Sequence, residues 1–147
     1  MKPLMTLVFG CAALLATFGA ARAEGNGVHG LMIPLDEVEW QPIREGSAVD
    51  VAVLFGNPAT GANVRLIRFP AGFTAPVHAH TGDYHGVVLT GIWKHWFEET
   101  GEERDLPPGS YVFQPGGEMH GDACIGPEDC VFLLQQSVAA DFIPKPQ

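Results

Sequence analysis

The sequence predicts an all-β fold, a sandwich or barrel, and three observations predict it. Short runs rich in Val, Ile, Leu, Phe and Trp recur through residues 49–136. Clusters of Gly, Pro, Asn and Asp stand between them and mark tight turns. No helical period of useful length appears after the N-terminal apolar stretch.

The chain opens on that stretch. Lys2 supplies a positive start, an apolar run extends from Leu4 to Ala20, and Ala21-Arg22-Ala23 fits a small-x-small cleavage site. Residues 1–23 therefore read as a signal peptide that is removed, with export to the periplasm. A membrane anchor is the alternative reading, for which the run is marginally long enough against the roughly 20 residues a span needs, but the cleavage site and the lack of charges stopping transfer after it favour removal. Cys11 splits the apolar run, whereas a lipid-accepting cysteine would follow it. Loss of Lys2 and Arg22 moves the net charge from −9 to −11. So acidic a surface argues against nucleic acid and anionic membranes as partners. It does not argue against a small-molecule ligand, because a bound ion reverses the local potential.

Residues 24–46 read as an N-terminal arm lying along the barrel, with Trp40 as its anchor. The barrel domain then spans 47–143. Its strands are predicted at Val49–Phe55, Val64–Phe69, Phe73–His80, Tyr84–Thr90, Ile92–Phe97, Ser110–Gln114 and Cys130–Gln136. Gly56-Asn57-Pro58, Pro70-Ala71-Gly72, Thr81-Gly82-Asp83, Pro107-Pro108-Gly109 and Pro115-Gly116-Gly117 are the turns between them. The acidic stretch Glu98–Arg104 reads as a solvated hairpin turn. The tail after Phe142, with Pro144 and Pro146, reads as loose. In an oxidising compartment Cys124 and Cys130 pair as a disulfide by default. The competing reading makes one of them a thiolate ligand.

Five of the six histidines lie between His78 and His120. His78 and His80 are one residue apart in a predicted strand. Side chains alternate at period two, so both imidazoles project from one face, roughly 7 Å apart at the backbone. That spacing lets both reach one ion at about 2.1 Å. A His-x-His pair alone is a weak signal, since many such pairs are polar positions on half-exposed strands.

The surroundings sharpen it. Gly72, His78-Ala79-His80, Tyr84-His85 and Gly91 resemble the first motif of the cupin superfamily, in which a glycine, His-x-His, a glutamate and a second glycine follow in order. Gly109, Pro115-Gly116-Gly117 and His120 resemble the second motif, except that Cys124 stands at the family's asparagine. The resemblance implies a single-domain cupin double-stranded β-helix, the jelly-roll barrel. Phe69–Phe73, His78–Val88 and Pro108–Gly117 are similar to an uncharacterised bacterial group, DUF4437.

The resemblance implies that His78, His80 and His120 are metal ligands. It departs from the family at the glutamate. One way of counting places Tyr84 there and the other places His85. His85 shares a strand face with Val87 and Leu89, the more apolar side, so His85 is expected inside as the fourth ligand, with Tyr84 outward or beside the ligands. The alternative makes His85 a hydrogen-bonded pocket histidine. His95, Gln114 and Glu118 are candidates for positions around the ligand set. Glu118 and Asp122, two residues either side of His120, share its face and are read as orienting groups, general bases or solvated charge. His95 has a competing reading as a core or rim residue.

An imidazole-rich set suits Fe or Zn, and also Cu or Ni, as one divalent ion. Fe would resemble the cupin dioxygenases that cleave diketones or oxidise thiols. Zn would suggest hydrolysis, isomerisation or binding. Two classes therefore stand at this stage: a metal-dependent dioxygenase acting on a small organic molecule, and a non-catalytic periplasmic metal or small-ligand binding protein, with an isomerase or lyase as a third. The fold resemblance also implies homodimer formation through sheet edges.

Overall fold

The computed structural model of the chain describes residues 30–146. The leader at 1–23, the first residues of the arm and His29 lie outside the described residues. The described chain carries one short 3-10 turn, Leu35–Glu37, and eleven strands. They are β1 (Gln41–Pro42), β2 (Asp50–Gly56), β3 (Asn63–Phe69), β4 (His78–Ala79), β5 (Tyr84–Thr90), β6 (Trp93–Phe97), β7 (Glu103–Leu106), β8 (Tyr111–Gln114), β9 (His120–Cys124), β10 (Cys130–Gln136) and β11 (Ile143–Pro144).

Two sheets form, ordered β1-β2-β3-β10-β5-β8 and β11-β4-β9-β6-β7. Early strands pair with late ones, β3 with β10 and β4 with β9, and these pairs are antiparallel. This is the all-β jelly roll. Its core lies between the sheets. Trp93 stacks on Phe132 at 4.3 Å between ring centroids, and Phe69 meets Phe73 and Phe132 edge-on at 4.9 and 5.0 Å. Val51, Ile67, Val88, Val112 and Leu134 fill the same layer.

Three segments differ from the sequence expectation, each for a physical reason. Phe73–His80 is not one strand. It makes an isolated bridge at Thr74 and pairs again only at His78–Ala79, because Pro76 has no N–H to give to a ladder. The acidic turn shrinks, and β7 forms from Glu103–Leu106 against β6. Its charged, exposed residues suit an edge strand and hide it from an apolar-run criterion. The tail is not loose. Ile143 and Pro144 pair with Ala79 and His78, and Lys145 N–H donates to the Val77 carbonyl.

The inner face of the six-stranded sheet is divided. Register places Asn63, Gln136, Tyr84 and Gln114 in one row across β3, β10, β5 and β8. All four are buried. The next row begins with buried Arg65, and Ile67, Phe132 and Val88 follow beyond it. One end of the barrel interior is thus polar and the other apolar. The outer face of this sheet is apolar too. Ala52, Leu54, Leu66, Val131 and Leu133 pack there against Val38 and Trp40 of the N-terminal segment. Arg68 covers the Trp40 ring at 4.5 Å.

Cys124 and Cys130 form a disulfide, with a sequence separation of 6. It ties the end of β9 to the start of β10. Opening it in a Cys124→Ser/Cys130→Ser variant is expected to cost about 2 kcal/mol by loop-closure entropy. A denaturant midpoint that does not move would show that the strands hold this corner unaided.

Candidate metal centre

β4 and β9 lie side by side, with His78 directly opposite His120. His80 follows β4 on the same face as His78. The three rings gather with centroids 4.3 Å (His78–His120), 4.9 Å (His78–His80) and 5.2 Å (His80–His120) apart. One ligating atom from each lies within 4.8 Å of the others. His120 is fully buried and His78 is buried.

The hydrogen bonds around the rings matter as much as their positions. His78 Nδ1 lies 2.8 Å from the Pro76 carbonyl, His80 Nδ1 2.5 Å from the Asp141 carbonyl, and His120 Nδ1 3.1 Å from the Glu118 carbonyl. A carbonyl only accepts, so each Nδ1 carries the proton and donates it. Each Nε2 is left with a free lone pair. This is the arrangement by which a protein presents imidazoles to a metal ion. The donor set and its burial fit one divalent ion of the Fe, Zn, Cu or Ni kind.

Burial also favours the neutral form of His80 and His120. It pulls the His80 imidazole below its ordinary value, and it pulls His120 down to about 4. Both must therefore take up protons on unfolding in mild acid. The metal-free protein is expected to keep its full stability above pH about 6.5 and to lose it progressively as pH falls toward 4, by about 3 kcal/mol from His120 alone. Melting temperatures across that window check this. A flat profile would mean that His120 is not held neutral.

The structure corrects the expected fourth ligand. His85 is exposed on the outer face of β5, where Nδ1 meets the Tyr111 hydroxyl at 2.7 Å and the ring lies against Phe113. It is far from being an inward ligand. Tyr84 points inward instead, 2% exposed, with its hydroxyl 3.5 Å from His120 Nε2. The apolarity of Val87 and Leu89 misled the parity argument, because the outer face is lined by apolar residues of the N-terminal segment and neighbouring strands. Burial first, and then the Asp122 charge, raise the Tyr84 phenol well above its ordinary range, so it stays protonated.

Behind the three histidines stands a second buried group. His95 Nδ1 is 2.7 Å from Asp122 Oδ1, and His95 Nε2 is 3.1 Å from Gln114 Oε1. The Gln114 amide nitrogen donates to the Pro115 and Glu118 carbonyls, which fixes its oxygen toward His95. Both His95 nitrogens thus face side-chain oxygens. Trp93 Nε1–H also donates to Asp122 Oδ1, at 2.9 Å. Desolvation would raise the Asp122 carboxyl, but the His95 hydrogen bond and the imidazoles around it outweigh it and hold it low. His95 borders a cavity of about 160 Å³ that also touches Phe97, Glu102, Arg104 and Tyr111. Glu118 acts through its backbone carbonyl, which holds both His120 and Gln114.

Sequence reasoning missed three participants. Arg65 is 5% exposed inside the polar end of the barrel, where it donates to Asn63 and Gln136. Only the alternation along β3 could have placed it inward. Asp141 holds His80, and Phe142 stacks on His78 at 4.2 Å. Nothing in the tail's local pattern signals these contacts.

A family model described as "ChrR Cupin-like domain" matches residues 28–139. Among solved structures, the polyketide cyclase RemF from Streptomyces resistomycificus superposes with a TM-score of 0.68 at 19% identity, over 81% of this chain and 87% of that one. The DMSP lyase DddQ from Ruegeria pomeroyi DSS-3 gives 0.57 at 20% identity, over 68% and 56%. Both likenesses concern the fold. Among curated proteins, the DNA damage-repair/toleration protein DRT102 of Arabidopsis thaliana is 38% identical over 55 residues. Those residues are 37% of this chain and only 18% of that protein.

Proposed function

From a chain that belongs to the ChrR cupin-like domain family, we propose a metal-dependent enzyme that acts on a small, chelating organic molecule. One observation carries this reading: three imidazoles, two buried and one half-buried, present free Nε2 lone pairs to a common point, each fixed by a backbone carbonyl. A closed shell of four histidines would suit storage. With His85 outside, the shell is not closed by imidazoles, and room at the ion suits catalysis. When bound, the ion supplies Lewis acidity or, as iron, redox chemistry. The chain's own residues bind and orient. Arg65 places a positive charge at the polar end of the barrel, which favours an anionic group on the substrate.

The dioxygenase reading and the cyclase, isomerase or lyase reading part at Tyr84. A buried, protonated phenol beside the imidazoles is a hydrogen-bond donor to a developing oxyanion, and this favours non-redox chemistry, in which a proton moves, as the second reading. RemF and DddQ, a cyclase and a lyase by name, share the fold and lend it the same support. Metal content of untagged protein, measured by mass spectrometry, tests the proposal. Near-stoichiometric iron, with oxygen uptake on β-diketones or thiols, supports the dioxygenase. Zinc, with turnover that falls in Tyr84→Phe, supports proton transfer. No metal, before or after reconstitution, overturns both.

We propose also that residues 1–23 are cleaved and the protein is periplasmic, on the strength of the leader's composition. N-terminal sequencing should then begin at Glu24. Narrower kinship with the DUF4437 group rests on the sequence stretches alone.

A further inference from the structure

The family motif's glutamate is absent here, yet the interior is not without a carboxylate. Asp122 stands on β9 two residues after His120, on the same inward face, and is 4% exposed. Among the described residues, both hydrogen bonds to its side chain, from Trp93 and His95, go to Oδ1. Oδ2 turns the other way. It lies 3.8 Å from His78 Nε2 and 3.7 Å from His120 Nε2. Two atoms bound to one ion at about 2.1 Å sit roughly 3.0–3.4 Å apart, depending on geometry. Oδ2 is therefore within a few tenths of an ångström of sharing an ion with those two nitrogens. Neither of those donors reaches Oδ2, so its lone pairs are open to a cation.

We propose that Asp122 is the fourth ligand, so that the carboxylate of this site comes from β9 rather than from the strand after the His-x-His pair. The inference rests on the metal-centre reading above and deepens it. Tyr84 at the motif position makes room for a phenol, and Asp122 restores the negative charge from the opposite sheet. Trp93 and His95 hold Oδ1 and so aim Oδ2. The His95 proton on that bond, fixed in turn by Gln114, orients the ligand as a second layer does in metal sites. A site of three imidazoles and one carboxylate accepts harder ions than imidazoles alone, because carboxylate favours Mn and Fe over softer partners.

Metal-stripped, untagged full-length protein tests this with Mn(II), Co(II) and Cu(II) as probes. Wild type is expected to bind one Mn(II). Asp122→Asn, nearly isosteric, is expected to bind Mn(II) at least about 100-fold more weakly and to show an altered Co(II) visible spectrum. It should retain Cu(II), which the three imidazoles hold alone. This selective loss is a readout that mere destabilisation would not produce. Equal Mn(II) affinity and an unchanged Co(II) spectrum in Asp122→Asn overturn the inference and leave the three-histidine centre standing. Failure of wild type to bind any of the three ions overturns the metal-centre reading and this inference with it. Infrared difference spectra of wild type labelled with ¹³C at the aspartate carboxyl, taken with and without Mn(II), decide the matter without a variant. A shifted carboxylate band supports ligation, and no shift overturns it.

Discussion

Replacing His120 with alanine is expected to abolish stoichiometric metal binding, with affinity falling by more than the roughly 10–100-fold that loss of an outer-layer partner costs. His120 sits at the centre of the cluster, with ring centroids 4.3 Å from His78 and 5.2 Å from His80. It is also the one member from a different strand. Without it, a His-x-His pair remains, and such a pair holds an ion weakly. His29→Ala is the control and should leave the metal in place. Metal content after extensive dialysis is the measurement. Retained metal in His120→Ala would remove the proposed site. Because His120 is fully buried, the same variant leaves a void, so a melting curve should accompany it.

Trp93→Ala is expected to be the most damaging single substitution to stability. Trp93 is 1% exposed, stacks on Phe132 with planes 7° apart, and donates to Asp122. Emptying such a site costs about 3–5 kcal/mol in packing. It also leaves the buried carboxylate short of a donor. A domain of this size has a modest reserve of about 5–15 kcal/mol, and the melting temperature should fall by roughly 10–20 °C. Trp93→Phe keeps the stack and loses the N–H, so it should cost only about 1–2 kcal/mol. If both variants melt alike, the hydrogen bond rather than the ring dominates.

Much of this was legible in the sequence where the signal is local. Tyr84–Thr90 and Cys130–Gln136 read directly as strands because each holds an apolar run, Val87–Leu89 and Val131–Leu134. The His-x-His spacing placed two imidazoles on one face, and the motif resemblance brought in His120. What could not be read is long-range. Whether Tyr84 or His85 turns inward depends on which sheet face carries the core. Both faces here are apolar, since Val38 and Trp40 cover the outer one. Parity read from composition fails in that case. Asp141 and Phe142 reach the site only because the tail folds back along β4. Gly121 shows the same limit. A Cβ there would lie 1.9 Å from the Trp96 ring, and no sequence pattern announces so close an approach.

The sheet that carries the three histidines ends at β11 on one side and β7 on the other. β11 is only Ile143–Pro144, with Pro146 close behind, and Pro144 has no N–H to offer an incoming strand. β7 presents Glu103, Arg104 and Asp105, all exposed. Proline and charge are the two devices by which proteins discourage strand addition. Edge-to-edge pairing of copies, the route to continuous intermolecular sheets and aggregates, is therefore discouraged at both margins of the sheet that holds the histidines.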